Sequence, residues 1–414
     1  MQTNLADWIK DTPEGREADA ILRKCVHCGF CLATCPTYNL LGDELDSPRG
    51  RIYLMKQVLE GAPVTVRTQV HLDRCLTCRA CETTCPSGVQ YGRLVDIGRE
   101  VVEKKVPRSF VDGTFRRILR FAFLSGPLFS FGVAMGRLFR PLLPASLAKQ
   151  VPPKRETGPW PAARHARKMV VLDGCVQPAL APDINGATAR VLDRLGISLV
   201  PVPQAGCCGA IEYHLNAQGA ALDRMRRQVD AWWPHLEAGA EAIVVTASGC
   251  GTMVAEYGHL LASDPAYAEK AARVSAAAKD VGQVVAAERE TLAKLLAGKG
   301  PAGDPIAYHA PCSLQHGLKQ KGIVESILRD AGFSLTAVPD SHVCCGSAGT
   351  YSILQSELSG QLLANKVRAL ESGAPASICT SNIGCLLHIE SGATKPVSHW
   401  IELLDARLGE AKVH

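Results

Sequence analysis

The 414-residue sequence is poor in aromatic side chains, which make up only 5% of it. It contains no G-x-G-x-x-G fingerprint and no P-loop, so we expect no flavin or other nucleotide to be bound by this chain. The basic residues are not interleaved with aromatic ones, and zinc-finger spacing is absent, which argues against nucleic-acid binding. The first residues contain neither a basic segment nor an apolar one, so the sequence predicts no secretory signal.

Cysteine, by contrast, is abundant, with 17 residues in the chain. The odd number argues against a closed disulfide framework. Thiols that are not exported stay reduced and can bind metal ions. The cysteine content therefore predicts metal sites on the cytoplasmic side of a membrane.

Positive charge is concentrated in one segment. The net charge is +5, but residues 104–168 carry 14 Lys and Arg against two acidic residues. Phe121 to Gly136 form an uncharged run that Gly126-Pro127 interrupts, shorter than the roughly 20 residues of a spanning helix. A basic, two-faced apolar segment is typical of peripheral contact with a membrane interface. A connector that packs on the next domain is the alternative interpretation.

Two near-identical cysteine runs, which begin at Cys25 and Cys75, have the pattern C-x2-C-x2-C-x3-C-P. In ferredoxin-type sites three thiolates of such a run bind one [4Fe–4S] cluster and the fourth binds the other. Zinc usually takes two pairs of ligands, often with His, and a disulfide knot is the other alternative. The spacing predicts cluster 1 on Cys25, Cys28, Cys31 and Cys85, and cluster 2 on Cys75, Cys78, Cys81 and Cys35.

A helix is predicted between the two runs. Ser47 is a good N-cap and Pro48 suits the first helical position. This favours a mostly helical two-cluster domain over a compact β-rich ferredoxin. Basic residues nearby either offset the cluster charge or belong to a solvated helix face; they are Arg49, Arg51 and Arg74.

The second half is an internal repeat. In each copy 31 residues separate a strand-end cysteine, Cys175 or Cys312, from a Cys-Cys-Gly turn at 207–209 or 344–346. Strands are predicted at 169–172 and 199–203 in one copy and at 306–309 and 335–339 in the other. The fold class is thus α/β overall, with the helical domain followed by a duplicated small parallel α/β module.

Parallel strands bring their carboxyl ends to one sheet edge, which would gather the cysteines into a metal pocket. We predict one further iron–sulfur cluster on some of Cys175, Cys207, Cys208, Cys250, Cys312, Cys344, Cys345 and Cys385. Gly29, Gly209 and Gly346 would let backbone N–H groups approach sulfur. Cys379 has no counterpart in the first copy and is interpreted as a buried thiol. His214, His309 and His316 are candidate donors to a substrate or structural residues.

This combination of motifs resembles the iron–sulfur subunits of membrane-linked two-electron reductases, most closely those of glycolate oxidase. The likeness covers nearly the whole chain and includes Leu41 to Asp46, His71 to Cys78, Ala231 to Pro234 and Asp340 to Thr350. One departure concerns the C-x-x-C that often ends each CCG module. Here Ala247 and Asn382 replace its first cysteine. Each module keeps four of the five cysteines that a non-cubane double cluster requires.

The resemblance implies an electron-transfer subunit that relays electrons from FAD-containing dehydrogenase subunits, which oxidise glycolate to glyoxylate, toward the quinone pool. It also implies a peripheral location on the cytoplasmic face of the inner membrane. D-Lactate or glycerol-3-phosphate dehydrogenase subunits, and a heterodisulfide-type reductase, are the alternatives. The expected segments are a two-cluster domain (1–105), a connector (106–168) and two CCG modules (169–300 and 301–414).

Overall fold

The computed structural model describes residues 1–142, 144 and 151–409. Part of the predicted connector (143 and 145–150) and the last five residues of the predicted second module therefore lie outside the described residues. The chain forms a helical N-terminal region followed by two parallel β-sheets with helices packed around them. The predicted fold class is confirmed.

Helices make up the N-terminal region, as the apolar spacing predicts. Ser47 accepts a hydrogen bond from the N–H of Gly50 at 3.0 Å and begins the predicted helix between the cysteine runs. The helix Tyr91–Lys105 packs against it and places Leu94, Val95 and Val102 in the core. The helices are Pro13–Lys24, Pro36–Leu41, Pro48–Leu59, Val66–Asp73, Ala80–Thr84 and Tyr91–Lys105, with a 3-10 turn at Glu44–Asp46.

Residues 110–142 form a helical hairpin, made of Phe110–Leu124, Gly126–Phe139 and a 3-10 turn at Arg140–Leu142. In this fully described part of the chain, neither helix has a buried residue. No single described helix is long and apolar enough to cross a membrane. The two hairpin helices reach that length and composition only together, across a bend of 94°.

Residues 151–166 contain no helix or strand, and some of them bond to the first module. Trp160 donates from Nε1 to the carbonyl of Leu199 at 3.1 Å, and the N–H of Gly158 donates to Asp183 at 2.8 Å. The segment therefore lies along the first module. Most of its residues nevertheless remain exposed, and none of them is buried.

The first module has a four-stranded parallel sheet in the order β2-β1-β3-β4. The strands are β1 (Arg167–Val171), β2 (Ile197–Pro201), β3 (Ile243–Val245) and β4 (Ala278–Asp280). Its helices are Gln177–Leu180, Asp183–Arg194, Ala210–His214, Gln218–Glu237, Ser248–Ala255, Tyr257–Leu260, Ala268–Ala277, Val281–Ala287 and Arg289–Leu296.

The second module has a three-stranded parallel sheet in the order β5-β6-β7. The strand predicted at 335–339 is wrong. Only Leu335 forms a bridge to Ile306, and the chain leaves the sheet edge immediately afterwards, toward Pro339, which has no N–H for a ladder. The elements are β5 (Ile306–His309), β6 (Ser377–Thr380), β7 (Val397–His399), a π-helical turn Ser313–Gly317, and helices Ile323–Asp330, Tyr351–Leu354, Ser356–Glu371, Ile383–Gly392 and Trp400–Gly409.

Each module packs one of its helices on a helix of the other module. The helix Val281–Ala287, after the last strand of the first module, packs on Ile323–Asp330 of the second. The helix Trp400–Gly409, after the last strand of the second module, packs on Asp183–Arg194 of the first. One hydrophobic core, containing for example Leu192 and Leu404, runs through both modules. The repeat is therefore a pseudo-symmetric pair built around a shared core.

Contacts also join the N-terminal region to both modules. Arg79 forms an ion pair with Glu256 of the first module at 2.7 Å. Toward the second module, the hydroxyl of Tyr351 donates to the carbonyl of Arg74 at 3.1 Å. Leu76 shares an apolar cluster with Cys344. The cysteine runs thus lie directly against the CCG half.

Candidate iron–sulfur centres

The two cysteine runs fold in the same way. In each run the second residue after the first cysteine and the residue after the second cysteine have positive φ: His27 and Gly29 in one, Thr77 and Arg79 in the other. Left-handed residues turn the backbone sharply and bring nearby thiols to one side. The N–H of Thr77 donates to Cys75 Sγ at 3.4 Å. The C-x2-C-x2-C spacing therefore produces a curled loop with its sulfur atoms inside.

The ligands predicted for cluster 1 line one cavity. This cavity contains Cys25, Cys28, Cys31 and Cys85, and it encloses about 420 Å³ including its mouth. Cys85 comes from the second run, as the interleaved pattern requires. Cys28 is exposed, whereas Cys25 is buried. The cavity therefore lies at the surface with one edge open.

The ligands predicted for cluster 2 line a second cavity of about 310 Å³. It contains Cys75, Cys78 and Cys81 of the second run together with Cys35 of the first. Cys81 borders both cavities. The two sites are thus direct neighbours, each with a fourth thiol contributed by the other run.

Cations lie against the second cavity. Arg51 is buried, lines the cavity and pairs with Asp46 at 3.1 Å. Arg99 donates to the carbonyl of Cys75 at 2.6 Å. Burial raises the pKa of Cys75, but the guanidinium groups of Arg51 and Arg99 outweigh it and lower that pKa overall. Arg51 therefore does not belong to a solvated helix face, whereas Arg49 pairs with Glu44 nearer the surface.

The donor set at both cavities fits a [4Fe–4S] cluster. Each cavity offers four thiols as the predicted ligands. Burial and the neighbouring thiols raise the pKa of Cys78 and Cys81 well above the usual range. Such thiols ionise readily only when a metal cation compensates their charge. N–H and guanidinium groups near sulfur also match the outer surroundings that tune such clusters.

The four cysteines of the first module form one group. Interactions between neighbouring thiols raise the pKa of Cys175 and of Cys208 and lower the pKa of Cys207, which lies between them; Cys250 contributes to the shift at Cys208. The N–H of Gly209 donates to Cys207 Sγ at 3.4 Å. The strand-end cysteine, the CCG turn and the Gly-Cys helix start therefore meet at one sheet edge, as the repeat predicts.

The second module repeats this arrangement. Cys312 Sγ lies 3.7 Å from Cys344 Sγ, and further thiol contacts join Cys344 to Cys345 and Cys345 to Cys385. The N–H of Gly346 donates to Cys344 Sγ at 3.4 Å. This group adjoins the second cavity of the N-terminal region, because Cys78 and Cys312 pack on one apolar cluster that includes Cys344.

The eight CCG cysteines thus form two groups of four. The positions where the wider family has a further cysteine hold other side chains in both modules. Asn382 donates from Nδ2 to Cys385 Sγ at 3.4 Å, and Ala247 is buried in the shared core. Neither can supply a fifth thiolate.

Comparisons with known proteins match this geometry. The family described as "4Fe-4S dicluster domain" matches residues 21–89, and the family described as "Cysteine-rich domain" matches 169–255 and 306–390. The chain is 53% identical over 409 residues to the glycolate oxidase iron-sulfur subunit of Escherichia coli K12, covering 99% of each chain. The chain belongs to the glycolate oxidase iron–sulfur subunit family.

Two further relatives have lower sequence identity to this chain. The probable glycolate oxidase iron-sulfur subunit of Bacillus subtilis 168 is 31% identical, with 93% of this chain and 92% of that protein covered. The lactate utilization protein A of Bacillus licheniformis is 28% identical over 240 residues, which is 56% of this chain and 97% of that protein. As a member of the family, this chain is an iron–sulfur subunit of an oxidoreductase.

The three candidate histidines occupy different surroundings in this family member. His214 is exposed at the end of its helix. His316 lies between the N-terminal region and the second module, with Nδ1 2.8 Å from Thr83 Oγ1 and Nε2 3.1 Å from the carbonyl of His342.

His309 is buried within 4.8 Å of Cys345 and Cys385. Burial, assisted by Lys366, lowers the pKa of His309 to about 3, so the ring is neutral. Cys379 is fully buried in β6.

Several residues beside the centres escaped the sequence reasoning. Arg99 lies next to Cys75, and Lys366 is buried near Cys344 and Cys345. Each is a cation within the apolar stripe of its helix: Val95 and Val102 flank Arg99, and Leu362 and Leu370 flank Lys366. A basic residue within an apolar helix stripe could have identified both positions in the sequence, because burial of such a charge requires an anionic or polar partner.

Proposed function

We propose that this chain is the electron-transfer subunit of a complex that oxidises glycolate to glyoxylate, a 2-hydroxy-acid dehydrogenase. Its partners would be FAD-containing dehydrogenase subunits on one side and the quinone pool on the other. Oxidation of glycolate releases two electrons and two protons, and [4Fe–4S] clusters accept and release one electron at a time. The observation that carries the proposal is the pair of four-cysteine cavities in a chain so similar to a glycolate oxidase iron-sulfur subunit.

The contacts between the centres support a route through the molecule. Cys81 borders both N-terminal cavities. Cys78 of the second cavity adjoins Cys312 and Cys344 of the second CCG module. At the second of these contacts the surrounding cluster is apolar and includes Leu76 and Leu362, so it would limit the entry of water between the centres. In this order electrons pass from cavity 1 to cavity 2 and then to the second module.

The surface near cavity 1 supports electron entry there. Cys28 is exposed, and its neighbours Val26 and Phe30 expose 66% and 63% of their surface. Apolar side chains beside an exposed cluster ligand suit a redox partner that must approach closely. The flavin-bearing subunit is thus proposed to dock at the Cys25–Cys31 loop.

The substrate is tested with the assembled complex purified anaerobically. We expect glycolate to reduce the clusters of this complex faster than D-lactate or glycerol 3-phosphate does. EPR measures the reduction. Faster reduction by either competitor would assign the complex to that substrate. Turnover of a heterodisulfide by this chain without a flavoprotein would contradict the relay and indicate a disulfide reductase.

Lactate is the second candidate substrate. The relatives named lactate utilization protein A favour it, although they match just over half of this chain. The same experiment distinguishes the two acids. We also propose a peripheral location on the cytoplasmic face of the inner membrane, where the quinone pool would receive the electrons.

A further inference from the structure

We propose that the hairpin of residues 110–142 is a docking surface for a bilayer interface that carries anionic headgroups. This inference deepens the proposed function, on which it depends for a membrane acceptor, by assigning the contact to particular residues. The structure describes every residue of the hairpin, and none of those in its two long helices is buried.

An apolar stripe runs along the first helix. Val111, Phe115, Ile118 and Phe121 recur at spacings of three and four residues, and all four are exposed. The second helix adds Phe131 and Leu138, which expose 63% and 68% of their surface. Exposed large apolar side chains at this density mark an interaction site. Phe123 and Phe129 pack on each other at a ring-centroid distance of 5.5 Å, so the two helices support one another while the stripe stays uncovered.

The charges near the stripe divide into two sets. Arg108 and Arg116 pair with Asp73 at 2.7 and 3.3 Å and anchor the hairpin to the N-terminal region. Arg117 instead donates to the carbonyl of Gly113 and the hydroxyl of Thr114. A guanidinium without a carboxylate neighbour can still attract an anion. Arg117 therefore provides charge complementary to anionic headgroups, beside apolar side chains that insert between them.

The shape of the hairpin favours lying in the interface over crossing the bilayer. The two helices bend by 94°. The first helix carries Arg116, Arg117 and Arg120 in its middle, where a spanning helix would face hydrocarbon. Both features place the apolar stripe at the depth of the acyl boundary and the arginines among the headgroups.

Docking in this way would bring one cysteine group near the membrane. The helix Gly126–Phe139 contacts the short helix Gln177–Leu180, which begins two residues after Cys175. Docking of the hairpin would thus hold the module that carries Cys175, Cys207, Cys208 and Cys250 against the bilayer.

The test is co-sedimentation of the full-length, anaerobically purified chain with vesicles. The vesicles contain phosphatidylcholine alone or mixed with phosphatidylglycerol. We expect binding to the anionic vesicles only, with release at high salt. The variant F115S/I118S/F121S and the variant R117Q/R120Q should each reduce the partition coefficient about tenfold or more.

Matched controls alter exposed residues elsewhere. V66S/V70S/I353S removes three exposed apolar side chains, and R227Q/K294Q removes two exposed charges; neither should change vesicle binding. Equal binding to neutral vesicles, retention at high salt, or equal losses in the controls would overturn the proposal. If no vesicles are bound, and if F115S/I118S/F121S converts a dimer of the chain into a monomer, the surface would be assigned to contact with a second copy of this chain. Glycolate-dependent reduction of a water-soluble acceptor by the complex is measured on the same variants, so failure of the proposed function is detected separately.

Discussion

A cation lies beside the cysteine group of each CCG module, and the partners of the two cations differ. Near the first group, Arg224 donates from Nη2 to Glu212 at 3.0 Å, so its charge is matched by a carboxylate. Near the second group, Lys366 donates to the carbonyl of Asp340 at 2.8 Å. A buried positive charge beside a cluster favours the reduced state of that cluster. We infer that Lys366 raises the reduction potential of a cluster bound by the second group.

The substitution Lys366→Met tests this role. The midpoint potential of that cluster should fall by on the order of 50 mV, because a buried positive charge is lost. Lys366→Arg, which retains the charge, should restore it. An EPR-monitored redox titration measures both variants, and an unchanged midpoint in Lys366→Met would contradict the inference.

The buried carboxyl of Asp280 should make the stability of the protein depend on pH. It caps the helix Val281–Ala287, with Oδ1 accepting from the N–H of Gly282 at 2.8 Å. Burial raises the pKa of Asp280 to about 7, although the hydrogen bond from Gly282 opposes the shift. The pKa of Asp280 is thus higher in the folded chain than in the unfolded one. The contribution of the protonated carboxyl to the free energy of unfolding is therefore complete below the unfolded pKa and is lost as the pH rises through 7.

Asp280→Asn keeps the cap but cannot ionise. Between pH 6 and 8 we expect the wild type to lose about 1 kcal/mol of stability relative to this variant. The measurement is the thermal unfolding midpoint of both proteins across this range. Asp11→Asn, at an exposed aspartate, is the control and should show no such difference. Parallel pH curves for wild type and Asp280→Asn would rule out ionisation of this carboxyl as the cause.

At the residue scale, the grouping of the cysteines was predictable, whereas the charges near them were predictable only in part: Arg51 was one of three candidates, and Lys366 was not among them. Short C-x2-C gaps constrain geometry locally, so Cys25 and Cys75 define their loops without tertiary information. The burial of Arg51 and Lys366 depends on which helix face meets which cysteine loop. That information exists only after the elements are packed.

At the scale of elements, the two CCG turns look alike in sequence but differ in packing. Gly209 and Gly346 both have positive φ, +86° and +93°. A Cβ on Gly209 would meet the carbonyl oxygen of Ala221 at 3.5 Å, an ordinary contact. On Gly346 it would lie 2.7 Å from the carbonyl oxygen of Ser359, which is backbone and cannot move aside easily.

We therefore expect unequal costs for the same substitution. Gly209→Ala should destabilise the chain by about 1 kcal/mol through left-handed strain alone. Gly346→Ala should cost about 3 kcal/mol, since overpacking adds to that strain. Chemical unfolding of the two variants, each the control for the other, measures the difference. Equal losses would show that the second turn relaxes freely.

The element types were largely predictable because apolar periodicity and capping act over a few residues, as Ser47 shows. The strand expected at 335–339 failed because strand formation needs a partner edge. Leu335 finds only one bridging residue, Ile306, before the chain turns away.

At the scale of the whole molecule, the exchanged helices make the modules interdependent. Asp405 in the last described helix pairs with Arg190 at 2.7 Å and with Arg194 at 2.6 Å, both on a first-module helix. Repetition in the sequence indicated two modules, but it could not show that each completes the other. The reason is that the exchange depends on contacts between residues more than 200 positions apart.

Asp405→Ala tests this coupling. We expect amide hydrogen exchange in Asp183–Arg194 to become about tenfold faster, because two half-buried arginines lose their common partner. Asp304→Ala, at an exposed aspartate before β5, should leave that helix unchanged. Faster exchange confined to the C-terminal helix would contradict the interdependence of the modules.

Two interleaved sets of four thiolates would bind two [4Fe–4S] clusters that carry electrons through this chain. Cys35 offers the sharpest test of this arrangement, because the residue belongs to the first run yet lines the second cavity. The measurement is EPR of the anaerobically reduced protein with Cys35→Ser, Cys75→Ser or Cys28→Ser. We expect Cys35→Ser and Cys75→Ser to perturb the same cluster signal and Cys28→Ser to perturb the other. A signal shared by Cys35→Ser and Cys28→Ser, or zinc in place of iron in the wild type, would contradict the interleaved arrangement.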